Sequence, residues 1–319
     1  MNPHVSDCLE NMSSHSSAWV SWPVDAGLVE PVRIEAYVTR GAKVHPLALI
    51  TAGVHGDEYE GPAAIASLTQ LLDASVLTGS VVAVPVVNPM AFAAAQRLSP
   101  DGKNLARTFP GIATGGATER LAVWFFEEIA EHADYLIDLH SGGVEYRFLP
   151  LVGFYGDAAA GNPSFDAAKR FGLDYLWQLP ETSGVLSCEC WKLGITAIGT
   201  EYLGAGELCP AGVAAYSSGV LSCLAGWGVA PSYAVAEPRG QAVQGDWQLA
   251  AATGMFHARC ALGDFVRPGD LLAEITDMRG CVVQRFLSLN AGVVLALRSK
   301  AWIRETDWGV LTGIPLATE

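Results

Sequence analysis

His55 and Glu58 stand three residues apart, just past the apolar run Pro-Leu-Ala-Leu-Ile-Thr-Ala of residues 46–52. His140 follows a second such run at 135–139, and Glu201 a third at 195–200. An imidazole and a carboxylate at i and i+3 reach one point where the chain turns helically between them. With His140 they would supply two nitrogen ligands and one oxygen ligand, the set of a catalytic zinc site that keeps a fourth position open for water. Zinc lowers the pKa of such a water to about 7 and polarises a carbonyl. Hydrolysis then needs a carboxylate outside the metal shell to carry the water proton to the leaving group, and Glu201 fits that role. Taken singly, each residue has a plainer reading. A histidine at a strand end is commonly just hydrogen-bonded, and a lone His-x-x-Glu pair says little. Asp138, two residues before His140 and on the same strand face, either orients that imidazole or is satisfied by backbone donors.

These residues act together only if the elements before them are parallel neighbours. The apolar runs 46–52, 80–87, 135–139 and 195–200 read as strands buried on both faces. Residues 32–37 alternate apolar and polar side chains, as a half-buried strand does. Helices are expected at 62–72, with Pro62 in the first turn, at 118–132 with Thr118 as its cap, at 163–171 and at 211–226. Residues 99–116, rich in Gly, Pro, Asn and Asp, form a long loop of the kind that is functional or disordered. This order predicts an α/β fold with a mixed, centrally parallel sheet flanked by helices. In such a sheet, sites lie beyond the carboxyl ends of the strands, so His55, Glu58, His140 and Glu201 would gather at one edge. Past residue 228 the pattern changes to short alternating runs (255–258, 265–272, 282–287, 293–296) separated by turns such as Pro268-Gly269-Asp270. The chain therefore divides into a polar tail at 1–17, a hydrolase α/β domain at 18–228 and a smaller C-terminal β domain at 229–319.

Composition bounds the partners. The 319 residues, half of them hydrophobic and 34 of them glycine, are enough for one large domain and a small one. A formal net charge of -14 repels phosphate backbones and argues against nucleic acid. The longest apolar runs are strand-length, which argues against a membrane span, and residues 1–17 lack the pattern of a signal peptide. Seven cysteines show no disulfide-like framework, and the cytoplasm is the expected compartment. Cys188 and Cys190 read as two residues on one face of a strand. The apolar composition accommodates a homo-oligomer interface and a large core equally well. A serine hydrolase is disfavoured, because no Gly-x-Ser-x-Gly elbow occurs and Ser141, adjacent to His140 on an extended chain, points the other way.

The run Gly53-Val54-His55-Gly56-Asp57-Glu58-Tyr59-Glu60-Gly61-Pro62 resembles the first zinc motif of the succinylglutamate desuccinylase/aspartoacylase family, itself related to the zinc carboxypeptidases. Val87-Asn88-Pro89, the loop from Asp101 through Asn104-Leu105-Ala106-Arg107 to Gly111, Asp138-Leu139-His140-Ser141 and Thr200-Glu201 follow in the family's order. The resemblance covers roughly residues 30–319. It implies a zinc carboxypeptidase-like fold and one zinc ion per chain on His55, Glu58 and His140, with Glu201 as general base. It further implies that Arg97 polarises the scissile carbonyl, and that Arg107, with Asn104 in the same loop, binds the substrate carboxylate. Where the family usually reads Asn-Leu-Asn-Arg, this chain has Ala106 in place of the second asparagine. One side-chain donor for a substrate carboxylate is therefore missing.

The expected reaction is hydrolysis of the amide of an N-acyl amino acid or a similar small amide. Succinylglutamate, N-acetylaspartate and acetylated diaminobutyrate are the kinds of substrate the family suggests. The same ligands would serve a carboxypeptidase acting on peptides through an open cleft. They would also persist in a non-catalytic zinc-binding relative, although the presence of Glu201 with all three ligands argues against that. The C-terminal β domain would cover part of the site mouth, and His257 would either reach the site from there or be a satisfied surface histidine.

Overall fold

The computed structural model describes residues 4–316. Helix α1 (Val5–Asn11) leads into an antiparallel pair, β1 (Ser16–Val24) and β2 (Val32–Arg40). Then come β3 (Leu47–Ala52), α2 (Glu60–Leu71), β4 (Ser80–Val84), the short α3 (Pro89–Ala93) and, past the long loop, α4 (Ala117–Glu128). The next stretch holds β5 (Tyr135–Leu139), β6 (Tyr146–Phe154), α5 (Pro163–Phe171), β7 (Tyr175–Gln178), α6 (Leu186–Lys192), β8 (Thr196–Gly204) and α7 (Pro210–Gly226). The rest is strand and turn. It comprises β9 (Gln241–Leu249), β10 (Gly254–Ala258), β11 (Phe265–Val266), β12 (Leu271–Thr276), β13 (Val282–Leu287), β14 (Gly292–Arg298), β15 (Trp302–Ile303) and β16 (Trp308–Pro315).

β4, β3, β5 and β8 lie side by side and parallel, in that order, at the centre of a mixed twelve-stranded sheet. Every residue of β3 and β4 is buried, as their unbroken apolar sequence requires. Alternate β3 residues serve opposite layers. Leu47 and Leu49 pack with Leu121 and Phe125 of α4 on one face, while Ala48 and Ile50 pack with Ile65 and Leu68 of α2 and Val220 of α7 on the other. The sheet is therefore covered by helices on both sides.

Beyond β8 the sheet curls. β6 changes partners along its length, across an irregularity between Phe148 and Leu151. Its first residues, Tyr146 to Phe148, pair with Arg298 to Ala296 of β14, and its last four pair with β7. Since β7, β9, β16 and β14 are themselves joined in sequence, the five strands β6, β7, β9, β16 and β14 form a closed ring. Hydrogen bonds between β7 and β9 and between β6 and β14 thus cross the expected boundary at residue 228. Among the described residues, β10, β12, β13 and β15 form a separate four-stranded sheet.

Several local expectations need correction. Residues 4–17 are not a loose polar tail: α1 lies there with Val5 and Leu9 buried in the main core, and residues 1–3 fall outside the described residues. The heptapeptide of α1 is too short for a clear helical period, and its two apolar anchors are easily missed. Cys188 and Cys190 lie on α6, not on a strand; both are buried, but two positions apart on a helix they do not share a face. A short apolar run does not by itself distinguish helix from strand. Thr118 is not the cap of α4. Gly116 is, and the Glu119 carboxylate accepts its N–H (2.8 Å), while the Thr118 hydroxyl donates to Asp101 (2.7 Å). The run at 265–272 is split into β11 and β12 by its Pro-Gly turn. Among the described residues no helix is long and apolar enough to cross a membrane.

Leu9, on α1, is fully buried in the main core. Leu9→Ala is expected to lower the unfolding free energy by about 2–4 kcal/mol, measured by urea denaturation. A loss below about 0.5 kcal/mol would mean that α1 contributes nothing to the fold.

Candidate active site

The chain leaves β3 through Gly53, in the left-handed region at φ +61°, and turns at Gly56-Asp57 before entering α2. Gly56 has no freedom to carry a side chain, because a Cβ there would sit 2.0 Å from the Ala91 carbonyl oxygen. Its N–H donates to the Gln96 carbonyl (2.9 Å). Asn88, the cap of α3, donates from its amide to the Val54 carbonyl (3.3 Å) and to Ser99 (2.9 Å). The Asn88-Pro89 turn thus clamps the loop that bears His55 and Glu58.

The ligand-type atoms of His55, Glu58 and His140 all lie within 4.8 Å of one another, so this trio could hold a metal ion. The Nδ1 atoms of both rings point at Glu58: His55 Nδ1 is 2.7 Å from Oε1, and His140 Nδ1 is 3.0 Å from Oε2. The far nitrogens are held by oxygens, His55 Nε2 by Asn104 Oδ1 (3.0 Å) and His140 Nε2 by Asp138 Oδ2 (2.9 Å). Asn104 Oδ1 also accepts the Ala106 N–H (2.9 Å), which fixes the orientation of its amide. A neutral imidazole has one N–H to share between two acceptors. With the Nε2–H of His55 given to Asn104, its Nδ1 lone pair faces a carboxylate at 2.7 Å, an arrangement that is repulsive unless a cation lies between them. The donor set therefore fits a metal. The oxygens behind each ring fix tautomer and orientation as in known metal sites.

Asp138 is itself held. The Thr51 hydroxyl, directly opposite on β3, donates to its Oδ1 (2.7 Å). Of the two readings left open for Asp138, the contact with His140 is therefore present. Glu58 also accepts from two donors outside the rings, Arg97 Nη1 (3.0 Å) and the Ser141 N–H (3.1 Å). Tyr216 donates its hydroxyl to the His140 carbonyl.

Burial works against the charge on Glu58, yet His55 and His140 hold its carboxyl well below the usual range. For His140, burial favours the neutral ring, but Asp138 and Glu58 outweigh it and hold the imidazole well above the ordinary histidine value. Burial, then Arg97, push His55 down to about 4. Glu201, on β8, is pushed the other way from Glu58. Burial and then the Glu58 charge raise its carboxyl to about 8, and its Oε2 is buried without a hydrogen-bond partner.

A cavity of about 270 Å³ opens over this cluster. His55, His140, Glu201, Arg97, Arg107 and Ala106 line it, so the strand ends and the 99–116 loop bring their residues to one place. Asn104 lies behind His55, with its side-chain oxygen committed to that ring and to Ala106. His257 lies on the separate sheet, where its ring contacts Thr276 (3.0 Å), and it does not line the cavity. Sequence reasoning missed Thr51, which only strand register could place opposite Asp138. It also missed the aromatic wall of Phe148, Trp177, Trp247 and Trp308, supplied by the ring strands.

Residues 45–227 match the model of the succinylglutamate desuccinylase/aspartoacylase catalytic domain. The chain is 31% identical over 309 residues to the N-alpha-acetyl-L-2,4-diaminobutyric acid deacetylase of Halomonas elongata, an alignment covering 93% of this chain and 87% of that one. Among solved structures it is similar to the product-bound ectoine utilization protein EutE (DoeB) from Ruegeria pomeroyi. That match has a TM-score of 0.84 and 27% identity, covering 95% and 97% of the two chains. It is also similar to a succinylglutamate desuccinylase/aspartoacylase from Rhodobacter sphaeroides, with a TM-score of 0.82 and 25% identity, covering 96% and 98%.

The directions above favour a second proton on the His140 ring and a proton on the Glu201 carboxyl in the metal-free cluster. Both must leave when a divalent cation arrives, one from a ligand and one from a carboxyl brought close to a positive charge. Calorimetry of zinc binding in buffers of different ionisation enthalpy is expected to show release of roughly one to two protons per metal, and fewer for Glu201→Gln. Binding without proton release at pH 7 would contradict this electrostatic picture.

Proposed function

The chain belongs to the succinylglutamate desuccinylase/aspartoacylase family, and from that premise we propose that it is a zinc-dependent deacylase that hydrolyses the amide bond of a small N-acyl amino acid. The observation that carries this reading is the convergence of His55, Glu58 and His140 within 4.8 Å beneath a cavity also lined by Glu201 and two arginines. The printed name of the Halomonas elongata relative, a deacetylase of an acylated amino acid, supports the same reaction class.

His55, Glu58 and His140 would hold one zinc ion, which when bound supplies Lewis acidity toward the acyl carbonyl and lowers the pKa of water. Asp138 and Asn104 act through the imidazoles, keeping each Nδ1 turned to the metal position. Glu201 takes the proton of the attacking water and returns it to the departing nitrogen. Its buried position and a pKa raised to about 8 in the metal-free state suit a group that must both accept and release a proton near neutrality. Arg97 lines the cavity beside the ligands and offers N–H donors to the oxygen that gains charge as the carbonyl is attacked. Arg107 takes the carboxylate of the substrate. A cavity of about 270 Å³ walled by Trp247 and Trp308 favours a small compound over an extended peptide.

Purified protein is expected to contain one zinc per chain, to lose amide hydrolysis on chelation and to regain it with zinc. Glu201→Gln is expected to retain the metal while kcat falls by about 10²–10⁴. Full turnover by Glu201→Gln, or by metal-free protein, would reject the mechanism.

A further inference from the structure

One part of the cavity wall is made of rings and carries no acid, base or metal-ligand side chain. Phe148, Leu151, Trp177, Trp247 and Trp308 form it. Trp247 and Trp308 are stacked, with centroids 4.8 Å apart and planes 19° apart, and Phe148 meets Trp247 edge-on at 5.9 Å. The wall is braced from behind. Tyr146 packs edge-on against Trp247 (5.8 Å), and the buried Arg298 lies over Tyr146 (5.8 Å) while pairing with Asp307 (3.1 Å) and donating to the Trp302 carbonyl (2.9 Å). Such a wall is preformed, so little ordering is lost when an apolar group settles on it.

Charge in the same space is uneven. Arg97 and Arg107 line the cavity, and among the described residues Glu201 is the only carboxylate that does. The Arg107 guanidinium lies 6.0 Å from the centre of the Trp308 ring and donates to the Ala106 carbonyl (2.6 Å). The indole nitrogens of Trp177 and Trp247 are buried without a hydrogen-bond partner, so what these rings present to the cavity is carbon surface. Ala106, buried in the loop, adds a methyl group.

Resting on the deacylase reading, we propose that this aromatic wall selects an apolar and preferably aromatic amino-acid side chain, so that the preferred substrates are N-acyl derivatives of phenylalanine, tryptophan or leucine. The α-carboxylate sits on Arg107, and the side chain beside it lies against the Trp247–Trp308 wall. An ammonium-bearing side chain would meet two guanidinium groups, one already placed against the Trp308 ring, with no carboxylate except Glu201. A second carboxylate placed against the Trp247–Trp308 wall would meet ring faces and lose hydration there, away from the Tyr155, Thr182, Ser187 and Thr200 hydroxyls that line the rest of the cavity. In the reaction, water oxygen bonds to the acyl carbon and the carbon–nitrogen bond breaks. The nitrogen takes the water proton through Glu201, so N-acetyl-L-phenylalanine yields acetate and L-phenylalanine.

The test is a comparison of kcat/KM on the zinc-loaded enzyme for the N-acetyl derivatives of L-phenylalanine, L-leucine, glycine, L-aspartate and L-2,4-diaminobutyrate, together with N-succinyl-L-glutamate. The phenylalanine compound is expected to exceed each charged one by at least about tenfold, the scale at which apolar pockets discriminate. Trp308→Leu and Trp247→Leu, each checked for folding by circular dichroism, are expected to shrink the phenylalanine-to-glycine ratio by about tenfold. A preference for aspartate, succinylglutamate or diaminobutyrate would overturn the side-chain assignment and leave the deacylase reading intact. Equal ratios in parent and both variants would overturn it too. No turnover of any amide in the panel would reject the deacylase reading, and this proposal with it.

Discussion

A single carboxylate organises the site. Glu58 is buried and has four close contacts, two on each oxygen: His55 Nδ1 and Arg97 on Oε1, His140 Nδ1 and the Ser141 N–H on Oε2. A charge removed from water is tolerated only where it is paired and hydrogen-bonded, so these partners cannot be released one at a time without large cost. They come from three separate segments: the turn after β3, the loop that precedes the Asn104 turn, and the end of β5. Glu58 therefore fixes the relation between three stretches that the sheet alone would bring close but not align.

The second carboxylate experiences the opposite environment. Glu58 is pulled toward the charged form by two imidazoles, while Glu201 is pushed toward the neutral form by burial and by Glu58 itself. Two acids at one site are thus set apart by their surroundings, one suited to hold a cation and the other to exchange a proton. The outer layer follows the same logic. Thr51 holds Asp138, Asp138 holds His140, and Asn104 holds His55, so each ring is positioned by a group that never needs to move.

Much of this was legible in the sequence because burial on both faces writes itself as an unbroken apolar run. Residues 46–52, 135–139 and 195–200 could be read as central strands, and what followed each run, His55, His140 and Glu201, then had to share an edge. The polar contacts were partly legible, since Asp138 stands at the right spacing from His140, but Thr51 is an ordinary strand threonine until register sets it opposite. The helix at residues 5–11 and the helical setting of Cys188 and Cys190 were illegible because a single turn of apolar residues is compatible with either period. The closed strand ring was illegible for a different reason. It depends on pairing between residues about 150 positions apart, Phe148 with Ala296, for which no local pattern exists.

That ring divides the site along the chain. The residues proposed to break the bond, His55, Glu58, Arg97, His140 and Glu201, all precede residue 228, whereas Trp247 and Trp308 of the cavity wall come from β9 and β16. The two ends of the pocket are consequently written in different stretches of the coding sequence. Mutational drift in the last quarter of the gene can reshape what the cavity admits while the reacting residues stay untouched. A scaffold arranged in this way can explore new chemical neighbourhoods without first surrendering its reaction.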